Sequence, residues 1–255
     1  MATRLVHVSD LHFPARNRAQ VDALVESIKQ SAPDLIVVTG DLTRAGRDTE
    51  FREATDFMAA LPGPRLVVPG NHDVPVPGLS DRLCAPFGRF QQHFPSGDPV
   101  LETPDMLVVG MTTAMGIQLG WDWSLGNAGA ARVDAVCGIL RQKRDSRLAI
   151  VACHHPLRPN PLDRRRSRTR GGEKAFDKLA AAGMGLLLHG HLHRATTNCR
   201  EVNRLQVCEI CANTALSDRP RGGSAGYNIL DVQQGTWNLT VATWSDGRYR
   251  APATA

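Results

Sequence analysis

The residues best equipped for chemistry fall into five short clusters: Asp10 with His12, Asp41, Asn71 with His72, His154 with His155, and His191 with His193. Carboxylates, imidazoles and an amide oxygen, with no cysteine among them, suit Mn, Fe, Zn or Co rather than Ca or a thiolate zinc site. Seven ligands drawn from these clusters are too many for one ion and fit two ions that share a bridging carboxylate. Two metals roughly 3.5–4 Å apart can bind a bridging hydroxide, lower the pKa of its parent water and clamp both oxygens of an in-line displacement at phosphorus. The chemistry so implied is phosphoester hydrolysis.

Each cluster sits where an apolar run stops. Residues 4–9 read as a first strand ending at Asp10-Leu11-His12. In extended backbone, side chains two apart share one side, so Asp10 and His12 converge just past the strand end. Residues 34–39 are a continuous β-branched run of the kind buried on both faces of a sheet, and they end at Gly40-Asp41. Residues 65–69 lead into Gly70-Asn71-His72-Asp73, residues 147–153 into His154-His155-Pro156, and residues 185–188 into His189-Gly190-His191-Leu192-His193. An amide, an imidazole and a carboxylate in succession cannot all be buried against hydrocarbon without partners, so the strand before them aims them at a target. Gly70 permits a tight exit from that strand.

Helical spacing over residues 17–31 and 48–61 separates the first three strands. The order strand, helix, strand, helix, strand favours a mainly parallel sheet with helical cover, and ligands bind outside the carboxyl ends of such strands. A helix over 81–93, a strand over 106–111, a long loop over 112–126 and helices over 128–143 and 173–182 follow. Beyond His193, short strands over 196–201, 205–212, 227–232 and 237–244 predict a second, largely antiparallel sheet packed against the first.

The 255 residues fit one domain spanning 1–255, and no apolar stretch approaches the roughly 20 residues that span a bilayer. A strand-like run begins too close to Met1 for a cleavable signal, which leads to the expectation of a cytoplasmic protein. The six cysteines read as reduced, mostly buried thiols, and Cys208-Glu209-Ile210-Cys211 lacks the second pair a zinc knuckle needs. The net charge of +5 is concentrated in Arg164, Arg165, Arg166, Arg168 and Arg170, and the remaining chain is neutral. That distribution disfavours nucleic acid as a partner and leaves two readings of the arginine run, a solvated mobile loop or a basic loop beside a phosphate site. Monomer and homo-oligomer are both open.

Asp10-x-His12, Gly40-Asp41, Gly70-Asn71-His72-Asp73, His154-His155-Pro156 and Gly190-His191-x-His193 resemble, in order, the five blocks of the calcineurin-like metallophosphoesterases. The resemblance implies an α/β fold, a four-layer α/β/β/α sandwich of two mixed β-sheets flanked by helices. It implies a dinuclear centre of divalent or trivalent Mn, Fe or Zn. Asp10, His12 and His193 would bind the first metal, Asp41 would bridge, and Asn71, His154 and His191 would bind the second. His72 would protonate the leaving oxygen or stabilise charge on it, and His155 and His189 would stand behind the ligands or face substrate.

Many relatives carry an Asp or Asn where this chain has Arg44, and that side chain orients the catalytic histidine. An arginine accepts no hydrogen bond, so either another group such as Asp73 orients His72 or its acid role is weaker, and Arg44 is free to contact substrate phosphate. Val74-Pro75 is a second departure, because relatives often place an arginine there. An intact His72 argues against the related lipid A precursor hydrolases, which typically carry arginine at that position. Residues 213–228 are similar to the ending of the bacterial cyclic-nucleotide and glycerophosphodiester branch. The expected substrate is thus a small phosphodiester. A nuclease or phosphomonoesterase of the same fold and a non-enzymatic metal-binding scaffold are the alternatives. Loops 156–172 and 121–125, with Trp121 and Trp123, are expected to cap the leaving group.

Overall fold

In the computed structural model, which describes residues 2–76, 79–94, 99–117, 122–143, 145–216 and 223–251, the continuous apolar runs become strands buried on both faces. Strands β1 (Thr3–Val8), β2 (Leu35–Thr39) and β3 (Arg65–Val68) are parallel, with Val6 beside Ile36 and Val38 beside Val67. Helices α1 (Arg18–Gln30) and α2 (Asp48–Ala59) make the crossovers, and the side chain of Asn17 caps α1 by accepting from the Gln20 N–H at 3.2 Å. Because strand side chains alternate, Ile36 and Val38 pack outward beneath Leu24, Phe51 and Phe57 of these helices. Leu35 and Val37 point the other way, into the centre of the molecule with Leu5, Leu66 and Val68.

A second parallel set repeats the scheme. Strands β5 (Met106–Gly110), β7 (Leu148–Ala152) and β9 (Leu186–His189) place Met106, Val108, Ile150 and Leu188 against the inner face of the first sheet. Leu107, Val109, Val151 and Leu187 lie outward beneath α5 (Ala130–Gln142) and α6 (Gly172–Ala181). The result is helix, sheet, sheet, helix, the four layers the resemblance implied.

The strands after His193 do not build a sheet of their own. The hairpin β10 (Thr196–Val202) and β11 (Leu205–Cys211) joins the second sheet, with Ile210 beside Leu188. Strands β12 (Gly226–Gln233), β13 (Thr236–Ser245) and β14 (Arg248–Arg250) extend the first sheet, with Leu230 beside Leu5. Without them β1 and β9 would be sheet edges with unpaired backbone groups on fully apolar strands, and the late hairpins satisfy both. Each sheet is therefore mixed and six-stranded, β4 (Val100–Glu102) completing the second.

Three smaller corrections follow. The helix expected over 81–93 is two, α3 (Leu79–Cys84) and α4 (Gly88–His93), parted around Pro86, which has no N–H to continue a helix. Inside the expected loops lies a two-stranded parallel ladder, β6 (Gly126–Asn127) with β8 (Thr169–Arg170), too short to show a period. Cys199 and Cys208 stand directly opposite in the β10–β11 hairpin and form a disulfide, so the thiols are not all reduced; Cys137, Cys153 and Cys211 are free and buried, and free Cys84 is exposed. Among the described residues no helix is long and apolar enough to cross a membrane.

Candidate metal centre

Leaving their strands, five cluster residues turn into left-handed backbone: Asp10 (φ 55°), His12 (φ 51°), Asp41 (φ 53°), His191 (φ 69°) and His193 (φ 55°). Such angles are uncommon outside glycine, and Asp, Asn and His tolerate them best. The turns are stitched together, Asp10 N donating to Gly40 O at 3.0 Å and His12 N to Asp41 O at 2.9 Å. Asp10 and His12 do converge, through these turns rather than through extended alternation.

Two groups of side chains meet across the ends of the two sheets. In one, His193 Nε2 lies 3.1 Å from Asp10 Oδ1, and His12 Nε2 lies 3.3 Å from His193 Nε2. In the other, His154 Nε2 lies 3.2 Å from Asn71 Oδ1. Asp41 stands between them, with Oδ2 at 3.9 Å from His12 Nε2 and Oδ1 at 3.4 Å from His154 Nε2. His191 offers a ring nitrogen within 4.8 Å of those of His154 and His155. The structure thus gathers all seven residues expected to hold metal.

The donor set fits a pair of cations. His154 Nδ1 donates to Thr39 O at 2.7 Å and His12 Nδ1 to Thr43 O at 3.3 Å, which leaves each Nε2 as a lone pair facing other acceptors. His191 Nε2 is buried without a hydrogen-bond partner, and buried Asp10 Oδ1 stands against the ring nitrogen of His193. Buried lone pairs aimed at one another need a cation between them. The protein alone supplies a proton for that purpose. Burial works against the His154 imidazolium, yet the carboxylates of Asp41 and Asp10 outweigh it and push the ring up to about 9. The same histidines hold Asp41 well below the usual carboxylate range despite its burial.

His72 hangs over this arrangement from the 3-10 turn Asn71–Asp73. Its backbone N–H donates to Asp41 Oδ1 at 2.9 Å, and its ring lies edge-on to His12 with centroids 5.0 Å apart. His72 Nδ1 donates to the main-chain carbonyl of Arg44 at 2.7 Å. The group that orients His72 is therefore the backbone at position 44, not Asp73. Asp73 is occupied otherwise: it accepts from Gly70 N (2.9 Å), Leu42 N (3.2 Å), Thr43 N (2.9 Å) and Thr43 Oγ1 (2.9 Å), stapling the two turns together. The Arg44 side chain points back to donate from Nε to His12 O at 2.8 Å.

His155 belongs to the cluster but has no lone pair to offer. Its Nε2 donates to Ser124 O at 3.0 Å, and Thr113 Oγ1 lies 2.9 Å from Nδ1. Buried His189 donates from Nδ1 to Gly190 O at 3.1 Å, and burial lowers its pKa to about 4, so it is a neutral wall of the site. Gly70 is required by close approach rather than by its φ, since a Cβ there would stand 2.1 Å from Asp41 Oδ1. At Gly190 a Cβ would meet Ser9 Oγ at 1.8 Å and Asp10 Oδ2 at 2.4 Å.

Sequence reasoning missed the main-chain carbonyls of Thr39, Thr43 and Arg44, which carry no residue signature. It also missed Thr113 and Thr214, whose Oγ1 donates to Asp10 O at 2.8 Å. Thr214 lies in the 213–228 segment singled out above, of which residues 217–222 lie outside the described residues. Trp123 rests on the Arg82 guanidinium, 4.5 Å from its ring centre, and Trp121 is outside the described residues.

The chain is 35% identical over 81 residues to the glycerophosphodiester phosphodiesterase GpdQ of Enterobacter lignolyticus, a match covering 27% of this chain and 29% of that protein. It is 28% identical over 267 residues to a cAMP/cGMP dual specificity phosphodiesterase of Mycobacterium tuberculosis, covering 91% of this chain and 76% of the relative. Its fold matches a purple acid phosphatase from yellow lupin seeds with a TM-score of 0.70 at 13% identity, over 98% of this chain and 53% of the plant protein. The chain therefore spans about half the length of that plant enzyme. Residues 3–195 match the model of the calcineurin-like phosphoesterases, and the chain belongs to that family.

Proposed function

We propose that this protein is a dinuclear metal-dependent phosphodiesterase acting on a small phosphodiester, a cyclic nucleotide or a glycerophosphodiester. The observation that carries the reading is Asp41, whose two oxygens face the two halves of the donor set at 3.9 Å and 3.4 Å, with His72 held beside it. Asp10, His12 and His193 would hold one ion, Asn71, His154 and His191 the other, and Asp41 both. Transition metals of the Mn, Fe or Zn kind, bound there, supply a nucleophile at neutral pH and neutralise charge developing at phosphorus.

The chain's own residues do the rest. Bonding of His72 Nδ1–H to Arg44 O orients the ring and leaves Nε2 as its other nitrogen, so that in its imidazolium form His72 can give the Nε2 proton to the departing alkoxide and return to the neutral Nδ1–H form. His154 and His12, each tied through Nδ1 to a main-chain carbonyl, are fixed in orientation and kept basic at Nε2. His155 and His189 are buried, and that burial holds both rings neutral, so they add no charge to the walls of the site. The substrate class is supported by the relatives named as cyclic nucleotide and glycerophosphodiester phosphodiesterases.

The test is turnover of bis(p-nitrophenyl) phosphate by Mn-loaded protein beside the Asn71→Ala and His72→Ala variants. Wild-type turnover about 100-fold or more above both is expected from loss of a ligand or of the general acid. Turnover no better than the variants contradicts the proposal.

A further inference from the structure

The arginine run is not a loose loop. Ser167 at its centre is buried; its Oγ accepts from Asn160 N at 2.7 Å and donates to Asp163 O at 2.7 Å. Arg166 N donates to Asp163 Oδ1 at 3.1 Å, and Thr169 Oγ1 to Pro156 O at 2.6 Å. This is a built turn that begins directly after His154-His155-Pro156.

Two attachments place the turn at the rim of the metal centre. Its start, Asn160 to Asp163, shares a small pocket with Leu192 and Arg194, which alternate with His191 and His193. Its end, β8, pairs with β6, and the segment entering β6 is pinned to the site floor by the bond from His155 Nε2 to Ser124 O. Asp122 of that segment lies within electrostatic reach of Arg165, whose charge helps to hold its carboxyl below the usual range.

The charge on this turn is only partly offset, by Asp163 within it and by Asp122 beside it. Arg164, Arg165, Arg168 and Arg170 are exposed. Among the described residues none of the five guanidinium groups makes a hydrogen bond or close ion pair, and Arg165 has only the longer-range pull of Asp122. Holding five like charges on a fixed turn costs stability unless an anion is drawn to them, and the planar guanidinium fork matches phosphate oxygens in pairs. The scissile phosphate is already provided for by the metal centre. Resting on the phosphodiesterase reading, we propose that this turn binds a second anionic group on the substrate, so that the preferred small diester carries a further phosphate on its alcohol portion.

The test compares adenylyl-(3′,5′)-adenosine with its 5′-phosphorylated form, which share one scissile diester, in Mn-loaded full-length protein and in an Arg164→Gln/Arg165→Gln/Arg168→Gln variant. Wild-type kcat/KM is expected to favour the phosphorylated form by about tenfold or more, and the ratio in the variant to fall to within about twofold. Calorimetric titration of chelator-treated protein with inorganic pyrophosphate supplies a readout independent of turnover, with affinity expected to fall about tenfold in the variant at a melting temperature no lower than that of the wild type. Equal kcat/KM for the two diesters, or equal pyrophosphate affinity of the two proteins, overturns the inference while leaving the phosphodiesterase reading intact. If no diester is cleaved, that reading fails and the pyrophosphate titration alone decides the inference. Turnover that rises with oligonucleotide length and collapses with salt overturns it in favour of a nucleic-acid substrate.

Discussion

His72 is oriented by the backbone of Arg44, its Nδ1–H donating to the Arg44 carbonyl at 2.7 Å. A main-chain oxygen thus serves as the acceptor that the family resemblance implied would be a side chain at this position. Replacing the Arg44 side chain removes a contact to His12 O but leaves the acceptor in place. Arg44→Ala is expected to lower kcat on bis(p-nitrophenyl) phosphate by less than about tenfold, whereas His72→Ala lowers it by about 100-fold or more. Steady-state kinetics on both variants checks the contrast.

Asp73 serves structure rather than proton transfer. Its carboxylate satisfies three backbone N–H groups and one hydroxyl, all buried in the turns below the site. Asp73→Ala strands those donors and is expected to cost about 3 kcal/mol or more in urea unfolding of the metal-free protein. An isolated loss of activity at unchanged stability would contradict this role.

The five clusters were legible because runs such as residues 34–39 have no reason to end in carboxylates and imidazoles unless those groups converge. The partner of His72 was not legible, because every residue has a carbonyl and only the turn decides which one faces the ring. The fate of the strands after His193 was hidden for a related reason. Alternation along residues 205–212 reveals a strand, but whether it covers the edge of β9 or joins its neighbours depends on chain reversals that leave little trace in composition. The Cys199–Cys208 bond depends on the same register.

Gly70 and Gly190 are space-limited cradles for the two carboxylates. A Cβ at Gly70 would press on Asp41, and one at Gly190 on Asp10. Gly70→Ala and Gly190→Ala are each expected to reduce bound transition metal to less than about half of wild type while far-UV circular dichroism is retained. Elemental analysis after gel filtration measures the loss.

Glu209 gives the fold a pH dependence remote from the metal centre. Burial pushes its carboxyl up from 4.5 to about 7, against the pull of Arg200 and Arg158. A raised carboxyl pKa favours the protonated form in the folded state, so the contribution is full below about 4.5 and is lost as pH rises toward 7. Wild-type stability relative to Glu209→Gln is therefore expected to fall by roughly 2–3 kcal/mol across that interval, at about 1.4 kcal/mol per unit. Denaturant unfolding of both proteins at pH 4.5, 6 and 7.5 follows the difference, and a pH-independent difference contradicts it.

The central claim is that Asp41 joins two metal sites. Electron paramagnetic resonance of protein loaded with two equivalents of Mn(II), with metal content measured on the same sample, tests it most directly. Two Mn per chain with an exchange-coupled spectrum in the wild type, lost in Asp41→Ala, is the predicted result. One Mn per chain, or two with uncoupled spectra in the wild type, would contradict it.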